Sequence, residues 1–297
     1  MEQGTSKESD PMRALQDKIV LVTGASRGGG RGIAQELGAA GATVVVTGRT
    51  TGNERPGEER GESIDHTARL VDEAGGRGIP RVCDHSDDGA VEALFQWIAT
   101  EWGRLDVLVN NVWGGYENYD QFDAPFWEQP PSRLDIMFNA GARAHFTASR
   151  LAAPLMIAQG AGLIINTTAA IHDRFLGSVP YDTTKAAINR MAYGMNVELR
   201  SHGVTALALA PGWMRSEAVL RYFATDEAHW TEVEALAATE STRYVGRAVA
   251  ALAADPEVAG FGGELLTVGA LARHYGFNDV DGRQPPPFDV PDDQLKD

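Results

Sequence analysis

Short apolar runs alternate along the chain with longer stretches in which apolar side chains recur every three or four positions. The runs at residues 19–22, 43–47, 78–82, 105–109, 163–166, 204–209 and 264–268 are rich in Val, Ile and Leu, with little polar alternation. Strands covered on both faces look like this. Helical periodicity marks residues 33–40, 63–74, 87–101, 133–159, 181–201 and 242–254. Repeated strand–helix–strand units predict an α/β fold, a doubly wound and mainly seven-stranded parallel sheet with helices on both faces. No linker interrupts the alternation, so one domain is expected over residues 13–276.

Three segments break the pattern, and each follows a predicted strand. Residues 49–62 are polar with Gly and Pro. Residues 113–131 carry Trp113, Tyr116, Tyr119, Phe122, Phe126 and Trp127, and residues 213–239 carry Trp213, Tyr222, Phe223 and Trp230. In such folds ligands bind beyond the carboxyl ends of the strands, so these segments are candidate ligand-binding loops, with 213–239 a candidate lid. Residues 1–12 read as a disordered extension, and the Pro/Asp-rich tail 277–297 offers no clear secondary structure.

Composition narrows the functional classes. With 41 acidic and 26 basic residues in 297, the net charge is −15, which argues against nucleic-acid and anionic-membrane partners. Cys83 is the only cysteine, which excludes an intrachain disulfide, and the seven His show no metal-ligand spacing, so no metal site is expected. No apolar run is long enough for a membrane span, and a cytoplasmic protein is the expectation.

The first predicted strand runs into Thr23, Gly24, Ala25, Ser26, Arg27, Gly28, Gly29 and Gly30, where a helix opens. A glycine-rich strand-to-helix turn lets backbone N–H groups approach a pyrophosphate at a helix N-terminus. The second strand ends at Arg49, with no acid there to bond a ribose 2′-hydroxyl. Arg49 and Arg27 therefore favour NADP(H) over NAD(H). Further on, Tyr181 and Lys185 are four residues apart, on one helix face. A phenol with a pKa near 10 in water needs a neighbouring ammonium to serve as an acid–base group at neutral pH. Lys185 is the one Lys between residues 19 and 295 of an otherwise Arg-rich chain.

The T-G-x-x-x-G-x-G spacing together with Tyr181-x-x-x-Lys185 resembles the short-chain dehydrogenase/reductases, a Rossmann-type family. The resemblance implies further roles. Gly24, Ser26, Gly28 and Gly30 would cradle the cofactor, Asp84 would accept from the adenine amino group, and Asn110 would match the first Asn of the family's N-N-A-G. Here that motif reads Asn110, Asn111, Val112, Trp113, with larger residues in place of the usual small ones. In Pro211, Gly212, Trp213, Met214, Arg215, Ser216, which resembles P-G-x-V/I-x-T, Met214 and Ser216 would meet the cofactor. Asn139 would hold a water linking Lys185 to solvent.

The family's substrate-binding Ser has two possible counterparts. Counting back 13 residues from Tyr181 gives Thr168, which keeps a hydroxyl; aligning on Asn166 gives Ala169, which has none. Thr168 is favoured. Trp113, Phe175 and Trp213 are candidate substrate contacts, and His172, Asp173 and Arg174 precede the Tyr.

A closer likeness is to the dehydrogenase/reductase member 1 branch. It rests on residues 124–128, on Val179, Pro180 and Tyr181, and on the run from Leu271 to Arg283 that contains His274, Tyr275, Gly276, Phe277 and Asn278. The likeness implies an NADP(H)-dependent oxidoreductase acting on a carbonyl or alcohol of an apolar or bulky small molecule, as a homodimer or homotetramer. A cofactor-binding regulator with the same fold but no turnover is the alternative.

Overall fold

The computed structural model describes residues 13–52, 61–115, 124–170 and 175–288. Tyr116, Tyr119, Phe122, His172, Asp173 and Arg174 lie outside the described residues, as do the stretches 1–12 and 289–297. Seven parallel strands form one sheet. They are β1 (Ile19–Val22), β2 (Thr43–Gly48), β3 (Arg77–Val82), β4 (Val107–Asn110), β5 (Gly162–Thr167), β6 (Val204–Ala210) and β7 (Leu265–Thr267), in the order β3-β2-β1-β4-β5-β6-β7. The central strands β1, β4 and β6 are buried along their whole length, which is why their sequences run apolar without alternation. Strand β3 lies at the sheet edge, half exposed, and tolerates Pro80 there because the edge needs no second ladder of donors.

Helices cover both faces. The crossovers are α1 (Gly28–Ala39), α2 (Ile64–Glu73), α3 (Asp88–Trp102), α4 (Ser132–Phe138) with α5 (Ala144–Gln159), and α6 (Val179–Leu199); α7 (Glu217–Tyr222), α8 (Thr242–Ala254) and α9 (Val268–Tyr275) complete them. Two cores result. One holds Val20, Val22, Val44, Ile33 and Leu37 with α8 and α9, and the other holds Leu21, Leu108, Ile164, Phe95 and Met156 with α3 and α5.

The expected helix over 133–159 is two helices joined by a π-helical turn, Asn139–Arg143. Helix α9 was not expected, although Val268, Leu271, Ala272 and Tyr275 carry the spacing of a buried helical face. Among the described residues no helix is long and apolar enough to cross a membrane.

Strand β1 has β2 on one side and β4 on the other, so successive crossovers diverge there. At such a switch point the loops leave the sheet in opposite directions and open a crevice. Gly29 in the turn after β1 and Asn111 and Trp113 after β4 border one cavity there.

Candidate active site

The glycine turn is pulled tightly against the β4 loop. Gly24 has φ +64°, and a Cβ there would lie 2.7 Å from Val112 Cα. A Cβ on Gly30 would lie 2.4 Å from the Gly24 carbonyl oxygen. Asn111 fastens the turn: its side-chain amide donates to the Thr23 and Gly24 carbonyls at 3.1 and 2.9 Å. Helix α1 then begins without a side-chain cap. The Gly28 N–H donates instead to a Glu217 carboxylate oxygen from the start of α7, at 2.8 Å, and Arg31 pairs with the other oxygen at 3.0 Å. A carboxylate thus stands at the helix N-terminus where an anionic ligand is favoured, and its presence shows that these donors accept an anion. The turn fits a dinucleotide pyrophosphate, with Ser26 and Arg27 beside it.

Arg27 is not free. Its guanidinium donates to Glu62 at 3.1 Å, and Arg221 of α7 pairs with the other Glu62 oxygen. Burial works to raise the Glu62 carboxyl, but the Arg221 and Arg27 hydrogen bonds outweigh it and hold it below its usual range. The sequence shows no acid at the end of β2, and Glu62 supplies one from the far end of the following loop. Arg49 is exposed just past β2, close enough to Asp84 to help depress that carboxyl, after the hydrogen bonds from Ser86 that do most of it.

The chemical residues meet in a cavity of about 560 Å³ whose lining includes Tyr181, Lys185, Thr168, Trp113, Met214 and Gly29. Pro180 is the second residue of α6, so Tyr181 lies in its first turn, with Lys185 one turn on. Lys185 is only 7% exposed, and burial pushes its pKa down to about 7. Thr168 caps the end of β5: its N–H donates to the Leu209 carbonyl at 2.9 Å and its hydroxyl to the Lys185 carbonyl at 3.3 Å. Thr167 and Ala169 line the same wall of the cavity. Pro211, Gly212, Trp213 and Ser216 border the same space.

Three expected site residues do not take the positions assigned to them. Asn139 is exposed at the start of the π-turn. Two residues on in the same turn, the buried Gly141 packs against Trp113 and Thr184. Asn110 is wholly buried in the sheet, its amide donating to Ser149 and Asn166, and Asn111 lines the cavity in its place. Phe175 lies outside the lining, to which its neighbour Leu176 contributes.

Phe288 and Glu240 are also outside the expected set. Phe288 of the C-terminal segment lines the cavity of its own chain. Buried Glu240 sits behind Gly212, whose N–H bonds it, and burial raises its carboxyl to about 8. Next to it, fully buried Arg215 joins Glu227 of the lid region to Asp281 of the tail and stacks 3.9 Å from the Trp230 ring.

The short chain dehydrogenase family model matches residues 18–227, and the chain belongs to that family of oxidoreductases. It is 38% identical over 276 residues to the human protein named dehydrogenase/reductase SDR family member 1, an alignment covering 91% of this chain and 85% of that protein. Among solved structures, a metagenomic short-chain oxidoreductase in complex with NADP superposes with a TM-score of 0.66 at 28% identity, covering 86% of this chain and 98% of that one. A 7α-hydroxysteroid dehydrogenase complexed with NADH and a 7-oxo bile acid shares the fold, with a TM-score of 0.71 at 24% identity over 93% and 98% of the two chains.

Proposed function

We propose that this chain interconverts a carbonyl and an alcohol on an apolar or bulky small molecule, using NADP(H). The observation that carries the proposal is the convergence of Tyr181, Lys185 and Thr168 on one cavity that also reaches Gly29 of the glycine turn. The nicotinamide ring, when bound, supplies or accepts a hydride. Gly28, Gly29 and Arg31 would hold the pyrophosphate, Asp84 would meet the adenine, and Met214 and Ser216 would border the nicotinamide. Tyr181 gives its phenolic proton to the developing alkoxide, or takes it back in oxidation. Lys185 lowers the cost of the phenolate. The Thr168 hydroxyl turns from the Lys185 carbonyl to the substrate oxygen. Trp213, Leu176 and Phe288 give the substrate region an apolar wall.

Arg27 and Arg49 support the phosphorylated cofactor. Glu62 favours a second reading, NAD(H), because a carboxylate already bound to Arg27 competes with a 2′-phosphate. Exposed apolar side chains on α4 to α6, among them Phe138, Phe146, Tyr193 and Val197, support a homo-oligomer formed through these helices.

The test is a panel of ketones and aldehydes monitored by NADPH absorbance. Turnover, with at least a tenfold preference for NADPH over NADH as about one charge-assisted phosphate contact provides, is expected. Tight NADPH binding without turnover on any carbonyl would favour the regulator, and equal use of both cofactors the NAD(H) reading.

A further inference from the structure

Asn139, expected to connect Lys185 to solvent, is exposed at the start of the π-turn, and an aromatic ring stands beside the ammonium. Trp113 leaves the end of β4 and lays its indole against Lys185, with Nζ 4.0 Å from the ring centroid. The same indole meets the Tyr181 ring edge to face, with centroids 5.5 Å apart at 84°. Both backbones beside it are cleared for the ring. A Cβ on Gly141 would lie 2.7 Å from Trp113 Cζ3, and one on Gly115 would lie 2.5 Å from Cζ2. The glycine in the π-turn therefore makes the space that the indole fills.

Physical chemistry gives this ring two effects on the ammonium. Its π face attracts the charge, while its bulk keeps water away and disfavours the charge. Burial lowers the Lys185 pKa, and the indole 4.0 Å away is part of what buries it. Among the described residues, the titratable groups facing Lys185 are Tyr181 on its own helix and His145 on α5. His145 is buried with Nε2 3.2 Å from the Val112 carbonyl oxygen, and burial followed by Lys185 pushes it down to about 3, leaving it neutral.

We propose that Trp113 is a positioning residue of the Tyr181–Lys185 pair: its indole holds the ammonium, closes the π-turn side of Lys185 to water, and fixes the face that Tyr181 turns to the cavity. This rests on Tyr181 being the acid–base group and assigns Trp113 to the machinery behind it rather than to the substrate. Proton exchange with solvent then runs through the cavity mouth.

The test uses protein labelled with ¹³C-lysine. With four Lys in the chain, the Lys185 Cε resonance is assigned by its loss in Lys185→Arg and tracked against pH. Trp113→Ala lets water reach the ammonium and moves its midpoint up by about one pH unit or more. Gly141→Ala, whose methyl displaces the ring by another route, moves it the same way, while Trp113→Phe keeps an aromatic shield and shifts it less. In carbonyl reduction, kcat of Trp113→Ala falls about tenfold with cofactor Kd unchanged, and its alkaline limb moves up with the Lys185 midpoint.

An unmoved Lys185 midpoint in natively folded Trp113→Ala or Gly141→Ala overturns the proposal, as does a pH profile that Trp113→Ala leaves in place. If the unsubstituted protein turns over no carbonyl, the proposed function fails, while the lysine titration still decides the role of Trp113.

Discussion

Glu217 stands on the donors that the cofactor needs, and its removal makes a quantitative prediction. Its carboxylate accepts from the Gly28 N–H at 2.8 Å and pairs with Arg31 at 3.0 Å, with Glu217 about a quarter exposed. A pyrophosphate binding at α1 must take the Gly28 N–H, so Glu217 has to swing out and give up that bond. A charge-assisted hydrogen bond contributes about 1.5–3 kcal/mol, and a charge at a helix N-terminus about 0.3–1 kcal/mol when exposed. Part of this returns because Glu217 regains water and Arg31 gains a phosphate. The net effect of Glu217→Gln is then about 1 kcal/mol in favour of binding, or a Kd about fivefold lower. Titration of the NADPH fluorescence change at fixed ionic strength measures it. A Kd unchanged or raised by Glu217→Gln would falsify the competition and make Glu217 a support of the empty turn only.

Thr168→Ala should lower kcat about 100-fold in a steady-state assay while leaving cofactor Kd unchanged, since the donor to the substrate oxygen is lost. Glu62→Gln should raise the NADPH-to-NADH ratio of kcat/KM about threefold or more, because Arg27 then faces a neutral partner, and an unchanged ratio would exclude Arg27 from phosphate recognition. Glu240 ionises near 4.5 when unfolded and near 8 when folded, so the folded state holds the extra proton between those pH values and stability falls as pH rises through them. Glu240→Gln should therefore gain about 1–3 kcal/mol in urea denaturation at pH 8.5 and almost nothing at pH 4.

How far the sequence reveals this site depends on the distance over which each contact is made. Strand β1 and helix α8 match their expected ranges, since burial on both faces or a regular apolar stripe is a local property. Tyr181 and Lys185 are readable for the same reason, because one helical turn guarantees their shared face. Asn139 opens a π-turn that the composition of the helix does not announce. Glu62 and Glu217 reach the glycine turn from segments 35 and 189 residues away, and no local pattern marks a carboxylate as folding back onto a helix N-terminus. Gly141 and Trp113 form a complementary pair within the crossover from β4 to β5, each ordinary when read alone.

The central claim is that Tyr181 transfers the proton in a hydride-transfer reaction on a carbonyl. Tyr181→Phe keeps the ring against Trp113 and removes only the hydroxyl. On a carbonyl that the unsubstituted protein reduces, NADPH consumption by Tyr181→Phe should fall by a factor of about 100 to 10,000, with NADPH Kd within about twofold. A Tyr181→Phe protein that binds NADPH normally and reduces that carbonyl at the original rate would contradict the account.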